Sequence, residues 1–202
     1  SVLARLLSQK IREIKLFYLL TGNEGAADLA EFGAWVRALR ERARDTRVIF
    51  SFGPLIRMPF TPLQYDRLRL EEGDWQPLLA QVRAACSGSG FAFRLAFDLD
   101  AYRTSQVLAL GGTWLSRIVV DLARRGGCFD GSLPPGYWAR LRAALERDGH
   151  WSAALVGEKP PDYAFPLAFV RTGVTPAFLY RRFQAGAQCR DTGYCLGRTG
   201  QA

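Results

Sequence analysis

The first hundred residues alternate between apolar runs and amphipathic segments in the order expected of a parallel α/β protein. An apolar run, continuous except for Lys15, occupies residues 14–20, and a second β-prone run occupies residues 47–52. Between them apolar residues recur at steps of three, four and three, which predicts a helix over residues 27–44. The recurring residues are Leu29, Phe32, Val36 and Leu39. This order predicts a parallel sheet, and the continuous apolar run predicts a first strand that is buried on both faces.

Downstream of this unit the pattern becomes mostly helical. Residues 91–97 alternate well enough to predict a third strand, and it is preceded by a helix ending at Cys86. The helices are predicted over residues 2–10, 76–86, 101–110, 114–125, 134–147 and 176–185. We therefore predict one domain over residues 1–97 and a mostly helical subdomain over residues 98–202.

A proline-rich segment follows the second predicted strand. Pro54, Pro59 and Pro62 lie within nine residues, and proline is excluded from a helix interior and from a central strand. The segment is therefore predicted to be a stiff, extended loop leaving the carboxyl end of that strand. In parallel α/β folds this end is where ligands bind.

The net charge of +8 comes almost entirely from arginine spread over the predicted helices. Such a distribution indicates solvated helix faces and does not favour nucleic acid as a partner. One short cluster, Tyr180–Phe183, combines two arginines with two aromatic rings, which is the pattern that an RNA-binding surface requires.

The sequence predicts a cytoplasmic protein without a membrane span. No apolar run approaches the roughly 20 residues that a membrane-spanning helix needs. There is no secretory signal pattern, and the absence of an initiator methionine leads us to expect a part of a longer protein. The four cysteines are unevenly spaced, which indicates reduced thiols or metal ligands.

The chain contains three segments, at residues 15–22, at residues 51–65 and from residue 105 onward, that together resemble the radical S-adenosylmethionine (radical SAM) proteins that also carry a cobalamin-binding domain. Lys15–Gly22 resembles the run Lys-Leu-Tyr-Phe that enters the family's Gly-Leu-Pro-Gly-Glu turn on its fifth barrel strand. Ser51–Tyr65 resembles the sixth strand and its exit loop, since Pro59–Tyr65 matches Pro-x-Thr-Pro-hydrophobic-Gln-aromatic. The regions around residues 105–131 and 166–179 resemble the part that follows the barrel.

The resemblance implies the last strands and helices of a partial parallel (β/α) barrel, followed by the helical subdomain. It also implies S-adenosylmethionine as cofactor, a [4Fe–4S] cluster that cleaves it, cobalamin on an upstream domain, and a substrate that the sequence does not identify. The partners within the enzyme would be the upstream barrel half or that cobalamin-binding domain.

The resemblance places candidate cofactor-binding residues at the ends of two strands. Gly22, Asn23 and Glu24 follow the earlier strand, where they would approach the methionine or ribose part of the cofactor. An ordinary strand-to-helix turn explains the same three residues. The backbone around the later strand would contact the adenine, with an apolar side chain on its face. The residues concerned are Ser51, Gly53, Leu55 and Ile56.

The sequence departs from the family in its cysteines. The Cys-x3-Cys-x2-Cys loop that binds the cluster is absent, so its ligands are expected outside this chain. Cys189 and Cys195 are candidate ligands of a second cluster, or reduced thiols of the tail. The alternative to an enzyme is a non-catalytic RNA- or protein-binding module derived from one.

Other polar residues have simpler interpretations. Asp98 and Asp100 are candidate general bases, but Asp100 is better placed to cap the helix that follows. His150 is the single histidine and is expected in a loop at a helix end, while Cys86 and Cys128 are expected to be buried.

Overall fold

The structure is a computed structural model that describes residues 2–9, 11–126 and 133–187. It is a mixed α/β structure with a three-stranded parallel sheet in the order β1-β2-β3. The strands are β1 (Glu13–Leu20), β2 (Arg47–Pro54) and β3 (Ala92–Leu95). The helices are α1 (Val2–Ser8), α2 (Ala26–Arg42), α3 (Gln76–Gly88), α4 (Leu99–Leu110), α5 (Leu115–Arg124), α6 (Tyr137–Arg147), α7 (Ala153–Val156) and α8 (Pro176–Ala187). No helix of the described residues is long and apolar enough to cross a membrane.

The chain divides into two compact units whose boundary is not a single point in the sequence. The first unit comprises Ser1–Leu55 and Arg69–Tyr102, and the second comprises Ile56–Leu68 and Arg103–Ala202. The predicted boundary after residue 97 falls five residues before the division inside α4. The structure also groups Ile56–Leu68, most of the proline-rich exit loop, with the second unit.

The first unit is held together by one aromatic face of its sheet. Seven rings from α2, the three strands and the residue before β3 form a chain of contacts with centroids 5.5–6.3 Å apart. They are Tyr18, Phe32, Trp35, Phe50, Phe52, Phe91 and Phe93. Phe50 and Phe52 on the central strand are almost completely buried. We call this side the helix-covered face, because α2 and α3 both pack against it.

The opposite side of the sheet, which we call the open face, contradicts the prediction that the first strand is buried on both sides. Phe17 is 75% exposed and Leu19 is 69% exposed. Since side chains alternate along a strand, these residues lie on the side away from α2. The apolar run of β1 is therefore continuous in sequence, but only half of it is covered by helices.

The second unit has a smaller core around Tyr65, Leu179 and Phe183. Tyr65 lies in a short 3-10 turn, Pro62–Tyr65, and its hydroxyl donates a hydrogen bond to the carbonyl of Pro176 (3.2 Å). The exit loop is therefore anchored to α8, more than a hundred residues later in the sequence.

The two faces of the sheet predict opposite responses to truncation. Replacing the buried Phe50 with alanine should lower the free energy of unfolding by about 3–5 kcal/mol, because it leaves a cavity among packed rings. Replacing the exposed Phe17 with alanine should change it by less than about 0.5 kcal/mol. Urea unfolding followed by tryptophan fluorescence measures both. Equal losses for the two variants would contradict the assignment of the faces.

Candidate functional site

The turn after β1 is organised by the carboxylate of Glu24. The backbone N–H and the hydroxyl of Thr21 donate to its Oε1 atom at 2.6 and 2.9 Å, and the N–H of Gly22 donates to Oε2 at 2.8 Å. Thr21 Oγ1 in turn accepts from the N–H of Asn23 (3.0 Å). The carboxylate thus satisfies backbone donors that the end of a strand leaves unpaired.

Arg69 closes this turn from a distant part of the first unit. Its guanidinium donates a hydrogen bond to Oδ1 of Asn23, and its side chain packs on Gly22. Gly22 has a φ of +78°, in the left-handed region that favours glycine, and a Cβ there would overlap the side chain of Arg69. Arg69 is itself fixed because its carbonyl accepts from Nε1 of the buried Trp75 (3.0 Å). Gly22, Asn23 and Glu24 therefore form one rigid turn at the carboxyl edge of the sheet.

Ser51 lies on the open face between an aromatic ring and a cation. The strand register pairs it with Phe17 on one side and with Arg94 on the other, and partners in adjacent strands point to the same face. Ser51 is 4% exposed, yet its hydroxyl makes no hydrogen bond to another described residue. Arg94 is exposed and likewise has no partner among the described residues. A hydroxyl without a described protein partner, beside an exposed guanidinium that also has none, is an arrangement suited to a polar, anionic ligand.

The other residues predicted around β2 occupy distinct positions. Gly53 lies within β2 on the open face, and a Cβ there would contact Leu19 and Ala96 at 3.7 Å. Leu55 follows the strand and donates its N–H to the carbonyl of Leu20 (2.7 Å), which extends the ladder at the carboxyl edge. Ile56 belongs to the second unit. Ser51 lies on the central strand, between β1 and β3, so its backbone faces neighbouring strands and a ligand would contact its side chain.

The two cysteine candidates for metal binding, and a third cysteine that was expected to be buried, lie in parts of the chain that the structure does not describe. These cysteines are Cys189, Cys195 and Cys128. Within the part of the chain that the structure describes, no group of three or more His, Cys, Asp or Glu residues could hold a metal ion. Cys86 is a fully buried free thiol, as expected, and burial raises its pKa to about 11.

Two predictions about isolated polar residues have definite outcomes. The helix cap is Asp98, whose Oδ1 accepts from the N–H of Ala101 (2.7 Å), so the assignment of the cap to Asp100 is wrong. Asp100 lies instead in the first turn of α4. The helix begins earlier than predicted, which moves the capping position back by two residues. His150 stacks on Trp114 with ring centroids 4.1 Å apart.

A second group of polar residues is buried in the second unit and was not identified from the sequence. Arg57 is completely buried, and its Nε and Nη2 atoms donate to Oδ2 of Asp66 at 3.1 and 2.5 Å. Its backbone carbonyl and N–H are bound by the side chain of Gln106 at 3.0 and 2.7 Å. Lys159, 2% exposed, donates from Nζ to the carbonyls of Gly157 (2.7 Å) and Asp66 (3.4 Å). These contacts hold the exit loop against segments that are distant in sequence.

The environment of Lys159 disfavours its charge. Burial lowers the pKa of its amine from 10.5 to about 8, an effect that Asp66 partly offsets and Arg57 reinforces. The amine is occupied by two carbonyl oxygens and lines no described cavity. We therefore regard it as a structural residue.

Sequence reasoning missed Arg69, Arg94, Arg57 and Lys159. The one available signal was that Arg57 occurs inside an apolar, proline-rich run, where an exposed cation would be out of place. Its partners are nine and 49 residues away, and no local spacing links them. Arg94 was hidden by its position in a short alternating strand.

Replacing Glu24 with glutamine should loosen the turn. The amide places a donor opposite the N–H of Gly22, so the free energy of unfolding should fall by about 1–2 kcal/mol. Amide hydrogen exchange at Thr21 and Gly22 should accelerate. Glu31→Gln, at an exposed position of α2, is the control and should change neither. Unchanged exchange in Glu24→Gln would contradict the assigned role.

The lowered pKa of Lys159 predicts that the free energy of unfolding rises with pH. Below pH 8 the amine is charged in both states, so the folded protein bears the full cost of burying it. Between pH 8 and 10.5 the folded state has released a proton that the unfolded state retains. The free energy of unfolding should therefore rise over this range, by up to about 3 kcal/mol.

The measurement is urea unfolding of the protein and of Lys159→Met at several pH values from 7.5 to 10. Subtracting the free energy of unfolding of the variant from that of the wild-type protein removes the opposing contribution of Cys86. The raised pKa of Cys86 favours unfolding between about pH 9 and 11 in both proteins. The free energy of unfolding of the wild-type protein should therefore increase relative to that of Lys159→Met as the pH rises. A difference independent of pH would show that Lys159 is not buried in its charged form.

A search for similar proteins found no matching family model, no similar curated protein and no similar solved structure. The comparisons therefore assign the chain to no family.

Proposed function

We propose that this chain is a portion of a radical SAM enzyme, and that its open face and the adjoining carboxyl edge position S-adenosylmethionine. The observation that carries the proposal is the position of the Ser51 hydroxyl, which has no described protein partner, between Phe17 and Arg94 on the open face. The cluster and the cofactor supply the radical chemistry when bound, and the residues of this chain bind, orient and shield.

The arrangement of helices and strands supports a segment of a barrel. In a self-sufficient parallel sheet both faces are normally covered by helices. Here α2 and α3 lie on one face only, and large apolar side chains are exposed on the other. In a (β/α) barrel the helices form an outer ring and the inner face of the sheet is turned toward the interior. We assign the open face to that interior, and it would be completed by the upstream barrel half.

The residues on the open face suit the parts of the cofactor. Phe17 offers an exposed ring on which an adenine can stack, in the way that bases stack on aromatic side chains. Ser51 offers a hydroxyl as donor or acceptor, and Arg94 offers a guanidinium to the carboxylate of the methionine moiety. The small Gly53 leaves room for the ligand close to the backbone. At the carboxyl edge, Asn23 lies in the turn fixed by Glu24 and Arg69.

The cluster ligands belong to another part of the enzyme in this proposal. The described residues hold no metal-binding group, and the three-cysteine loop is absent from the sequence. Cobalamin would be bound by an upstream domain. The substrate is unassigned.

A specific observation favours the alternative of a non-catalytic module that binds an anionic partner such as RNA. The second unit contains 15 Lys and Arg residues against 8 Asp and Glu, a net charge of +7, whereas the first has 12 against 11. The excess is therefore concentrated in one unit. However, the rings of Tyr180 and Phe183 pack with Tyr65 in the core, and Phe183 is buried. The Tyr180–Phe183 cluster thus lacks two freely exposed rings for stacking on bases.

The proposal is tested by anaerobic iron and sulfide analysis and by titration with S-adenosylmethionine. Both are carried out on this chain and on the longest product of its gene. We expect about four iron and four sulfide atoms per chain, and cofactor binding, only in the longer protein. The reduced longer protein should release 5′-deoxyadenosine. In it, Arg94→Gln should weaken cofactor binding about tenfold, the loss expected for one charge-assisted contact.

Arg37→Gln is the matched control, because Arg37 is an exposed cation on α2 and therefore on the helix-covered side of the sheet. It should leave the affinity unchanged. Absence of both cluster and cofactor binding in the longer protein would overturn the proposal and leave the binding module as the better explanation. Equal effects of the two arginine substitutions would overturn the role of the open face.

A further inference from the structure

The second unit contains a cavity that the proposed function does not use. Its volume is about 330 Å³, at the lower end of the range of small-molecule pockets, roughly 300–1,000 Å³. All of its lining residues belong to the second unit, and they come from the exit loop, the segment between α7 and α8, and the start of α8.

The walls of the cavity are aromatic and aliphatic. Phe60, Tyr163 and Phe165 contribute rings, and Leu179 contributes an aliphatic side chain from α8. Phe165 contacts Tyr163 edge-to-face, with ring centroids 4.8 Å apart, and it also contacts Tyr65 in the core of the unit (5.2 Å). The cavity is therefore supported by packed rings, and an apolar ligand would find complementary surface there.

One wall is held in a strained conformation. Phe60 has a φ of +61°, in the left-handed region that bulky side chains rarely adopt. The buried Gln64 stabilises it, since the N–H of Phe60 donates to Oε1 of Gln64 (2.8 Å). Strain of this kind persists where the surroundings enforce it, often at ligand sites. In this protein the strained residue, Phe60, is itself part of the cavity wall.

A single charged residue lines the cavity among the described residues. Arg171 makes no hydrogen bond or ion pair with any of them. The neighbouring hydroxyl of Thr172, also at the cavity, lies 3.4–3.5 Å from the backbone of Val174. An apolar cavity with one unpaired guanidinium complements a molecule that has an apolar body and one negative group.

We infer that this cavity binds a small carboxylic acid with an aromatic or branched apolar body. Its apolar part lies between Phe60, Phe165 and Leu179, and its carboxylate is bound by Arg171. The site is independent of the proposed cofactor site, because none of its residues belongs to the sheet.

The test uses 3-phenylpropionate and its neutral analogue 3-phenylpropanamide, titrated into the full chain by isothermal calorimetry. We expect saturable binding of the acid at millimolar concentration or below, and weaker binding of the amide. Arg171→Gln should weaken the acid about tenfold and leave the amide unchanged, because only the acid uses the guanidinium. Ala168→Phe, which places a ring in the cavity from an exposed position of its lining, should weaken both.

Arg181→Gln is the matched control, since Arg181 is an exposed cation on α8 that does not line the cavity. It should leave both affinities unchanged, and circular dichroism melting checks that each variant is folded. The inference is overturned if the acid does not bind saturably, or if Arg171→Gln and Arg181→Gln weaken it equally. It is also overturned if a folded Ala168→Phe variant binds both compounds normally.

Discussion

The parallel pairing of β1, β2 and β3 constrains most of what the first unit can do. Because consecutive parallel strands are joined by crossovers of one hand, the helices that follow β1 and β2 lie on the same side of the sheet. Seven aromatic rings fill the space beneath them, and this packing is the main apolar core of the unit. The other side has no helix from these crossovers, which is why Phe17 and Leu19 are exposed. The stable core and the candidate cofactor surface are thus the two faces of one sheet.

The carboxyl edge depends on the same pairing. Three strand ends meet there, and each end leaves backbone groups that need partners. The carboxylate of Glu24 meets this need after β1, a ladder bond from Leu55 to Leu20 meets it after β2, and Asp98 caps the helix that follows β3. Arg69 then fixes the first of these turns. An edge held in this way is already organised before a ligand arrives, which reduces the entropic cost of binding.

In the second unit the exit loop is the segment that side chains must hold in place. Its prolines prevent regular structure, so it must be held by side chains. Arg57, Asp66, Gln106 and Lys159 form that support inside the unit, and burial lowers the pKa of Lys159, with Arg57 reinforcing the effect and Asp66 partly offsetting it. The loop also contributes Phe60 to the cavity. A segment that the sequence resemblance links to the cofactor end of a barrel strand therefore contributes to a separate ligand site as well.

The sequence by itself determined the class of structure and the approximate extent of its elements. The 3.6-residue and continuous apolar patterns predicted α2, β1 and β2 within two residues at each end, because local periodicity reflects which side of an element is buried. Pro59 and Pro62 predicted the irregular exit loop for equally local reasons, but Pro54 was wrongly assigned to that loop, because it is the last residue of β2. The position of Gly22 after a strand indicated a tight turn.

Only the tertiary structure decided which face of β1 is covered and which distant residues complete each site. Phe17 and Leu19 are as apolar as their buried neighbours, so no pattern distinguishes them. Arg69 contacts a residue 46 positions away in the sequence, and Lys159 contacts one 93 positions away. Arg94 lies beside Ser51 only because of the register between β2 and β3. Asp98 became the cap because α4 begins earlier than its apolar pattern indicates. Long-range contacts depend on how the whole chain packs, and a single sequence records that only indirectly.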